Sequence, residues 1–417
     1  EELPQHGRDW TLAQYLGRLA SDSPTPGGGS VAALVGALAA ALAGTALCLC
    51  WQALTVHFNY GGNWTALFST GDYRIVPPQL ASENIYRFRG SGYDGQFYHY
   101  MAHDPFLRRG LSQYLDAPRL RYRRILVPAL AWIAAGGNDR LVDAALFLVI
   151  WLSIFLGAYW SSRYAALSGR NPLWGLGFLA VPATVVAIDR TIVDATLAAL
   201  TAGFAVYARQ GATRKLYLVL AAAALTRETG LLLVTGYVLY CAAGKRIKEA
   251  VFYATAAAPA LLWLLYSSAH TSGDIPLQIA GQPVGLLFRL RILFFGSYAS
   301  LPGPVASLIR TLDWLMAAGV ISAIILALFL FVRSGRRPEN YAALSFAALM
   351  VPVVFLVNMF DPFTYARLSS PLLLLLSLEA LRRRWWLGSA PLALVLLRTA
   401  AQLGPQAIGI GRALLAG

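Results

Sequence analysis

Charge is what this sequence has least of. Only 13% of its 417 residues are Asp, Glu, Lys or Arg, against 57% hydrophobic, and its mean hydropathy is +0.56. Soluble domains carry roughly 25% charged residues. A chain this poor in charge cannot clothe a water-facing surface, so its solvent over most of its length is a lipid bilayer. Acid is scarcer than base: 20 Asp and Glu stand against 34 Lys and Arg, a net charge of +14. In a membrane protein that excess belongs to the cytoplasmic loops that fix orientation, and no nucleic-acid partner is expected. Cysteine is scarce too. Cys48, Cys50 and Cys241 fall in apolar runs, which excludes a disulfide framework or a spaced metal motif and leaves them as packing residues. No Rossmann fingerprint or Walker loop occurs, and GGGS at 27–30 has no strand before it. Internal repeats and low-complexity linkers are also lacking. No cleavable signal peptide is expected in the polar first thirty residues.

What is present is a series of apolar runs. The first, 31–56, has spanning length. Others follow at 141–162, 172–188, 192–208, 216–226, 230–243, 249–268, 312–332, 341–358, 368–381 and 386–403. The runs predict an all-α, polytopic integral membrane protein with about eleven membrane segments. Two short runs, 216–226 and 230–243, meet at the polar tip TRETG. Broken backbone of that kind is tolerated where protein surrounds it, so the tip suits a buried site.

The basic loops SSRYAALSGR, ARQGATRK, GKRIK, RSGRR and RRR all fall on the cytoplasmic side of one consistent alternation. Residues 1–30 are then a cytoplasmic segment, and 31–417 the membrane domain. The opposite side receives two sizeable loops, 57–140 and 269–311, together with the Asp189–Asp194 turn, TRETG and DPFTYAR. The run 125–137, ILVPALAWIAAGG, is too short to span and is expected as an interfacial or re-entrant helix.

The first external loop holds GYDGQFYHYMAHDPF, 92–106. A helix starting near Tyr93 puts Asp94, Phe97, Tyr98 and Met101 on one stripe and Gln96, His99 and His103 on another. Such faces suit an amphipathic helix at the membrane surface, with its aromatics in the interface. His99 and His103, four apart, could hold a metal, but such pairs are more often hydrogen-bonding surface groups, and no metal ligand is assigned. Asp104, before Pro105, is expected to cap or end the helix. Arg121, Arg123 and Arg124 are expected to anchor at the headgroups.

DGQFYHYMA, directly after the first membrane helix, resembles the corresponding loop of the GT-C membrane glycosyltransferases, with Asp94, Tyr98, Met101 and Ala102 matching. Gly95 stands where that family often has a second acid. RILVPALAWIAAGG resembles the segment that follows in such loops, DRTIVDATLAAL the Asp-headed start of a later helix, and ALTRETGLL a short broken helix with a basic tip. The resemblance implies transfer of a sugar from a polyprenyl-phosphate donor to a hydroxyl of a lipid, glycan or protein acceptor. It places the reaction on the extracytoplasmic face of a membrane, here the bacterial inner membrane, and makes the transfer an inverting one. Asp94 would be the general base. Arg227, then Arg367 and Arg291, would grip the donor phosphate. Tyr93, Gln96, Tyr98, His99, Asp194 and Glu228 would line the substrate site. No cofactor is assigned; a divalent cation, Mg2+ or Mn2+, is the one that the resemblance leaves open. Arg227 also has a purely structural alternative, a pair with Glu228 or Asp194.

Three other functions stay open at this point: a transporter or flippase, which broken helices also suit; a membrane scaffold without chemistry; and a folate enzyme. The last rests on residues 11–44, where SPTPGGGSVAALVGALAAALA resembles the start of the formiminotransferase-cyclodeaminase family. An Ala/Gly/Leu helix behind a turn with a Ser cap reads equally well as a membrane helix.

Overall fold

The computed structural model describes residues 28–272, 301–333, 336–355 and 362–416. Nearly all of it is helix. The first helix, α1 (Gly28–Tyr60), has 33 residues and is about 50 Å long at the helical rise. Ala37, Ala40 and Ala41 face inward, while Leu34, Leu38, Leu42 and Leu47 are exposed on the outer side. An apolar face of this kind, costly in water, is satisfied by lipid. The polar Gln52 within α1 donates to the Ile188 carbonyl at 2.7 Å and accepts from Trp151 Nε1 at 2.7 Å.

The loop after α1 is folded on itself. Two-residue strands β1 (Thr70–Gly71) and β2 (Arg87–Phe88) pair in parallel there. Then come α2 (Gly95–His103), a single helical turn at Pro118–Arg121, and α3 (Leu126–Ala134). Every residue of α2 is buried. This corrects the expectation of a surface helix with one solvated face. The loop's own segments and α3 cover it, so its polar groups must find partners inside the protein. Nine residues make α3 about 14 Å long, too short to span, as expected of a run ending in two glycines. Gly136 and Gly137 both have positive φ (61° and 73°) and turn the chain back into α4 (Asp139–Leu167), whose Asn138 cap accepts from Arg140 N.

Beyond α4 a 3-10 segment, Pro172–Ala180, bends by 61° into α5 (Pro182–Arg190). Next are α6 (Asp194–Gln210), α7 (Thr213–Thr226) and α8 (Leu231–Ala243). Helices α9 (Ile247–Ala254) and α10 (Ala258–His270) form one apolar run. The rest of the described chain is α11 (Gly303–Arg333), α12 (Pro338–Phe355), α13 (Pro362–Arg383), α14 (Ala390–Ala400) and α15 (Gly404–Ala416).

Five helical runs are long and apolar enough to cross a membrane: 31–60, 139–167, 247–270, 303–333 and 386–415, or six with the bent pair at 172–190. About eleven spans is therefore not what the described residues contain. Helix α6 shows the reason. From Asp194 to Val206 it is buried all round, packed by other helices, and protein neighbours release it from the length rule. Helices α7 and α8 are shorter still, with 14 and 13 residues.

The basic loops gather by direct contact. Arg209 donates to the Leu167 carbonyl and Ser168 hydroxyl, both at 2.6 Å, and Arg170 to the Leu381 carbonyl at 3.1 Å. Arg336 donates to the Ala243 carbonyl, and Tyr164 to Glu339. All five basic loops thus lie at one end of the bundle. The start of α4 lies at the other, 29 residues or about 44 Å away.

Candidate functional site

At that second end, charged side chains from five segments converge. Asp94 stands at the N-terminus of α2 and makes no capping bond. Its carboxylate instead lies 2.8 Å from Arg121 Nη1 and 2.6 Å from Arg367 Nη2. Arg121 is held from behind by Asp116, to which Nε and Nη2 each donate at 2.9 Å. Arg124 donates twice to Glu228, at 3.0 and 2.6 Å, and once to the Tyr98 hydroxyl at 3.1 Å. Arg227 pairs with Asp194, whose other oxygen lies 3.7 Å from Arg367. The rings join in as well: the guanidiniums of Arg190 and Arg367 lie over Tyr93 at 4.4 and 5.2 Å, and that of Arg121 over Phe97 at 4.6 Å.

Local sequence explains why each group is delivered here. Arg227 sits where α7 stops, in extended backbone (φ −161°, ψ 148°), before a 3-10 turn at Glu228–Gly230 starts α8. The break at TRETG is thus the buried polar tip that the two short apolar runs predict. Gly230 permits it, since a Cβ there would run into the Ala223 carbonyl. Asp194 opens α6, and Arg367 lies in the first turns of α13. Gly95, the residue in place of a second acid, has no room for a side chain. A Cβ there would collide with the carbonyl oxygens of Arg190 and Phe68. The close backbone approach that seats Asp94 therefore excludes a paired carboxylate at the next position.

These charges have left water. The side chains of Arg227, Asp194, Arg367 and Arg124 are 4%, 3%, 5% and 6% exposed. Asp94 keeps 13% and Glu228 32%. Burial by itself would raise the Asp94 pKa, but the guanidiniums of Arg367 and Arg121 overcome it and hold the carboxyl well below its usual range. Burial opposes the charge of Arg121 and Arg124, and their acid partners more than restore it.

Beside the cluster lies an apolar groove of about 430 Å³. Its lining includes Ile125 and Leu126 next to Arg124, Leu225 close to Arg227, and Leu262, Trp263 and Tyr266 of α10.

The structure thus brings together Asp94, Arg227, Arg367, Asp194, Glu228, Tyr93 and Tyr98. Arg291 lies outside the described residues. Gln96 is elsewhere: fully buried, it donates to the carbonyls of Ser91 and Tyr93 and accepts from Gly71 N, so it ties the loop rather than facing the cluster. His99 and His103 are also turned away and are buried completely, not surface groups. They face carboxylates, and although burial lowers the His99 pKa, Asp143 and Glu83 raise it to about 9. Asp104 ends α2 as expected; its carboxylate accepts from the backbone N of Arg108, Arg109 and Leu111.

Arg121 and Arg124 correct the headgroup reading. They point inward, where Asp94 and Asp116 meet Arg121 and Glu228 meets Arg124. The run itself carries no signal that separates this arrangement from headgroup anchoring.

A model of the formiminotransferase-cyclodeaminase family matches residues 11–52. The described part of that match lies in the apolar helix α1 and includes no residue of the cluster. No curated protein and no solved structure matches the chain.

Proposed function

We propose that the protein is a membrane glycosyltransferase that moves a sugar from a polyprenyl-phosphate donor to an acceptor hydroxyl on the extracytoplasmic face. The observation that carries this reading is the Asp94 carboxylate, held by Arg121 and Arg367 in a cluster that also contains Arg124 and Arg227, close to an apolar groove. A lipid phosphate needs both halves of that arrangement: guanidiniums for its oxygens and an apolar channel for its chain. Asp94 is ionised at neutral pH and can accept the hydroxyl proton as the acceptor oxygen attacks the anomeric carbon. The bond from that carbon to the phosphate oxygen breaks, and the charge left on the lipid phosphate falls to the arginines. Two of those arginines restrain Asp94 while no phosphate is present. A phosphate that draws Arg367 toward itself loosens that restraint and makes the carboxylate more basic.

Asp94→Asn keeps the side chain's shape and removes the base. Transfer of radiolabelled sugar from a polyprenyl-phosphate donor should fall by about 10²- to 10⁴-fold in proteoliposomes containing it. Retained full activity would refute the assignment. The bend before α5 and the break between α7 and α8 support a second reading, a transporter, since half-helices that meet at charged groups also suit transport. Flux of a lipid-linked sugar across the same proteoliposomes without product formation would favour it.

A further inference from the structure

The face of α2 turned away from Asp94 carries a second cluster of opposite character. His99 and His103, one helical turn apart, point their Nε2 atoms at the same carboxylate oxygen, Asp143 Oδ1, at 2.9 and 3.3 Å. Glu83, from the loop before α2, brings its two oxygens to 3.4 Å from His99 and 3.7 Å from His103. One donor atom from each of these four residues lies within 4.8 Å of all the others. Three separate segments of chain supply them: the 83 loop, α2 and the first turn of α4.

Hydrogen bonding accounts for only part of this convergence: His103 Nε2 meets Asp143 Oδ1 in hydrogen-bond geometry, but His99 and one oxygen of Glu83 are left out. His99 is fully buried, yet neither of its ring nitrogens has a partner in hydrogen-bond geometry, and Glu83 Oε2 has none either. Buried polar groups left this way are costly to the folded state. The spacings match something else. A tetrahedral ion with bonds of about 2.0–2.1 Å holds its ligands about 3.4 Å apart, within the 2.9–3.7 Å spread of the imidazole–carboxylate distances here. The surroundings also match. His103 Nδ1 lies 3.1 Å from Asp139 Oδ1, and Asp139 is itself gripped by Arg109 at 2.6 Å. A carboxylate on the far nitrogen is what orients a metal-bound imidazole. On the other side, the Phe68 ring stacks on His99 at 4.2 Å and closes the pocket.

We propose that Glu83, His99, His103 and Asp143 form a binding site for a divalent first-row transition-metal ion, with zinc the best fit. Two imidazoles and two carboxylates are hard-to-borderline donors that suit Zn2+ over Ca2+. All four positions of a tetrahedron are filled by protein, so the ion is structural. It ties the 83 loop and α2 to the first turn of α4 and thereby fixes the helix whose other end carries Asp94. This site is independent of the glycosyl-transfer reading.

The test uses untagged full-length protein in detergent, stripped with a chelator, and then equilibrated with Zn2+ under a competing metal buffer. Elemental analysis should find about one zinc per chain, and the melting temperature should rise on zinc addition. His103→Ala and Glu83→Gln, compared where they remain monodisperse, should weaken zinc binding by about ten-fold or more. Co2+ in place of zinc should give the intense visible absorption of a tetrahedral site. Failure of the wild-type protein to take up stoichiometric zinc would overturn the proposal without reference to any variant. Zinc uptake unchanged in folded His103→Ala would overturn it equally.

Discussion

The two faces of α2 are chemical opposites nine residues long. At its N-terminus one carboxylate, Asp94, is surrounded by guanidiniums; on its far face two imidazoles, His99 and His103, are surrounded by carboxylates. Both groups are buried, and each is stabilised only by its opposites. The difference lies in how completely the partners satisfy one another. Around Asp94 nearly every arginine has an acid partner at ion-pair distance, and an apolar groove is lined by the sequence neighbours of Arg124 and by Leu225, two residues before Arg227. Around His99 the carboxylates are close but badly aimed, and the pocket is shut by Phe68. An anion that carries a hydrocarbon chain suits the first arrangement, and a small cation the second.

The largest expected effect separates them by chemistry. Asp94→Asn, as above, should cost about 10²- to 10⁴-fold in transfer. Next is the removal of one partner from a pair that has no exposed member. Asp194→Ala leaves Arg227 charged and buried and should lower stability by about 3–5 kcal/mol, read as loss of melting temperature in detergent. An Asp194→Leu, Arg227→Met double variant should recover most of that, because an apolar pair replaces the ion pair. Unchanged melting of Asp194→Ala would show that the pair is not buried in the folded protein. Smaller is Gly95→Ala. Its methyl group would press on the Arg190 and Phe68 carbonyls at a cost of about 1–3 kcal/mol, and more if the backbone cannot yield. A neutral Gly95→Ala would mean that the turn into α2 is looser than the structure has it.

The smallest effect is one of pH. The folded protein holds Asp94 below its ordinary value of 3.8, so the unfolded chain binds the proton first. The stability this contributes is fully present above that value and is lost as pH falls below it. Melting temperature measured from pH 7 down to pH 3 should therefore decline less in Asp94→Asn than in wild type. Equal declines would show that the guanidiniums do not act on Asp94.

Parts of this contrast could be read in the sequence, for a physical reason. An ionisable residue in an apolar run must be paired or functional. Arg227, Glu228 and Asp194 stand out by that rule, Asp94 by its resemblance to the loop of the glycosyltransferases, and the structure gathers them with Arg367. Arg121 and Arg124 did not stand out, because a basic-aromatic run beside an apolar helix looks the same whether it faces headgroups or a buried acid. Only the third dimension separates the two. The His cluster was half visible. The spacing of His99 and His103 marks a helix face, but Glu83 and Asp143 lie 16 residues before and 44 after His99 with no motif to join them. The described residues contain fewer runs of spanning length than the apolar pattern suggests, for a related cause. Apolar runs report burial, and burial by other helices, as for α6, looks in sequence like burial by lipid.

The most direct test of the central claim is the structure of the protein with a polyprenyl phosphate bound. The account predicts the phosphate within hydrogen-bonding reach of Arg367, Arg124 or Arg227, the prenyl chain along the groove at Leu126 and Trp263, and Arg367 drawn off Asp94. A phosphate bound at the opposite, basic-loop end, with the Asp94–Arg367 pair undisturbed, would contradict it.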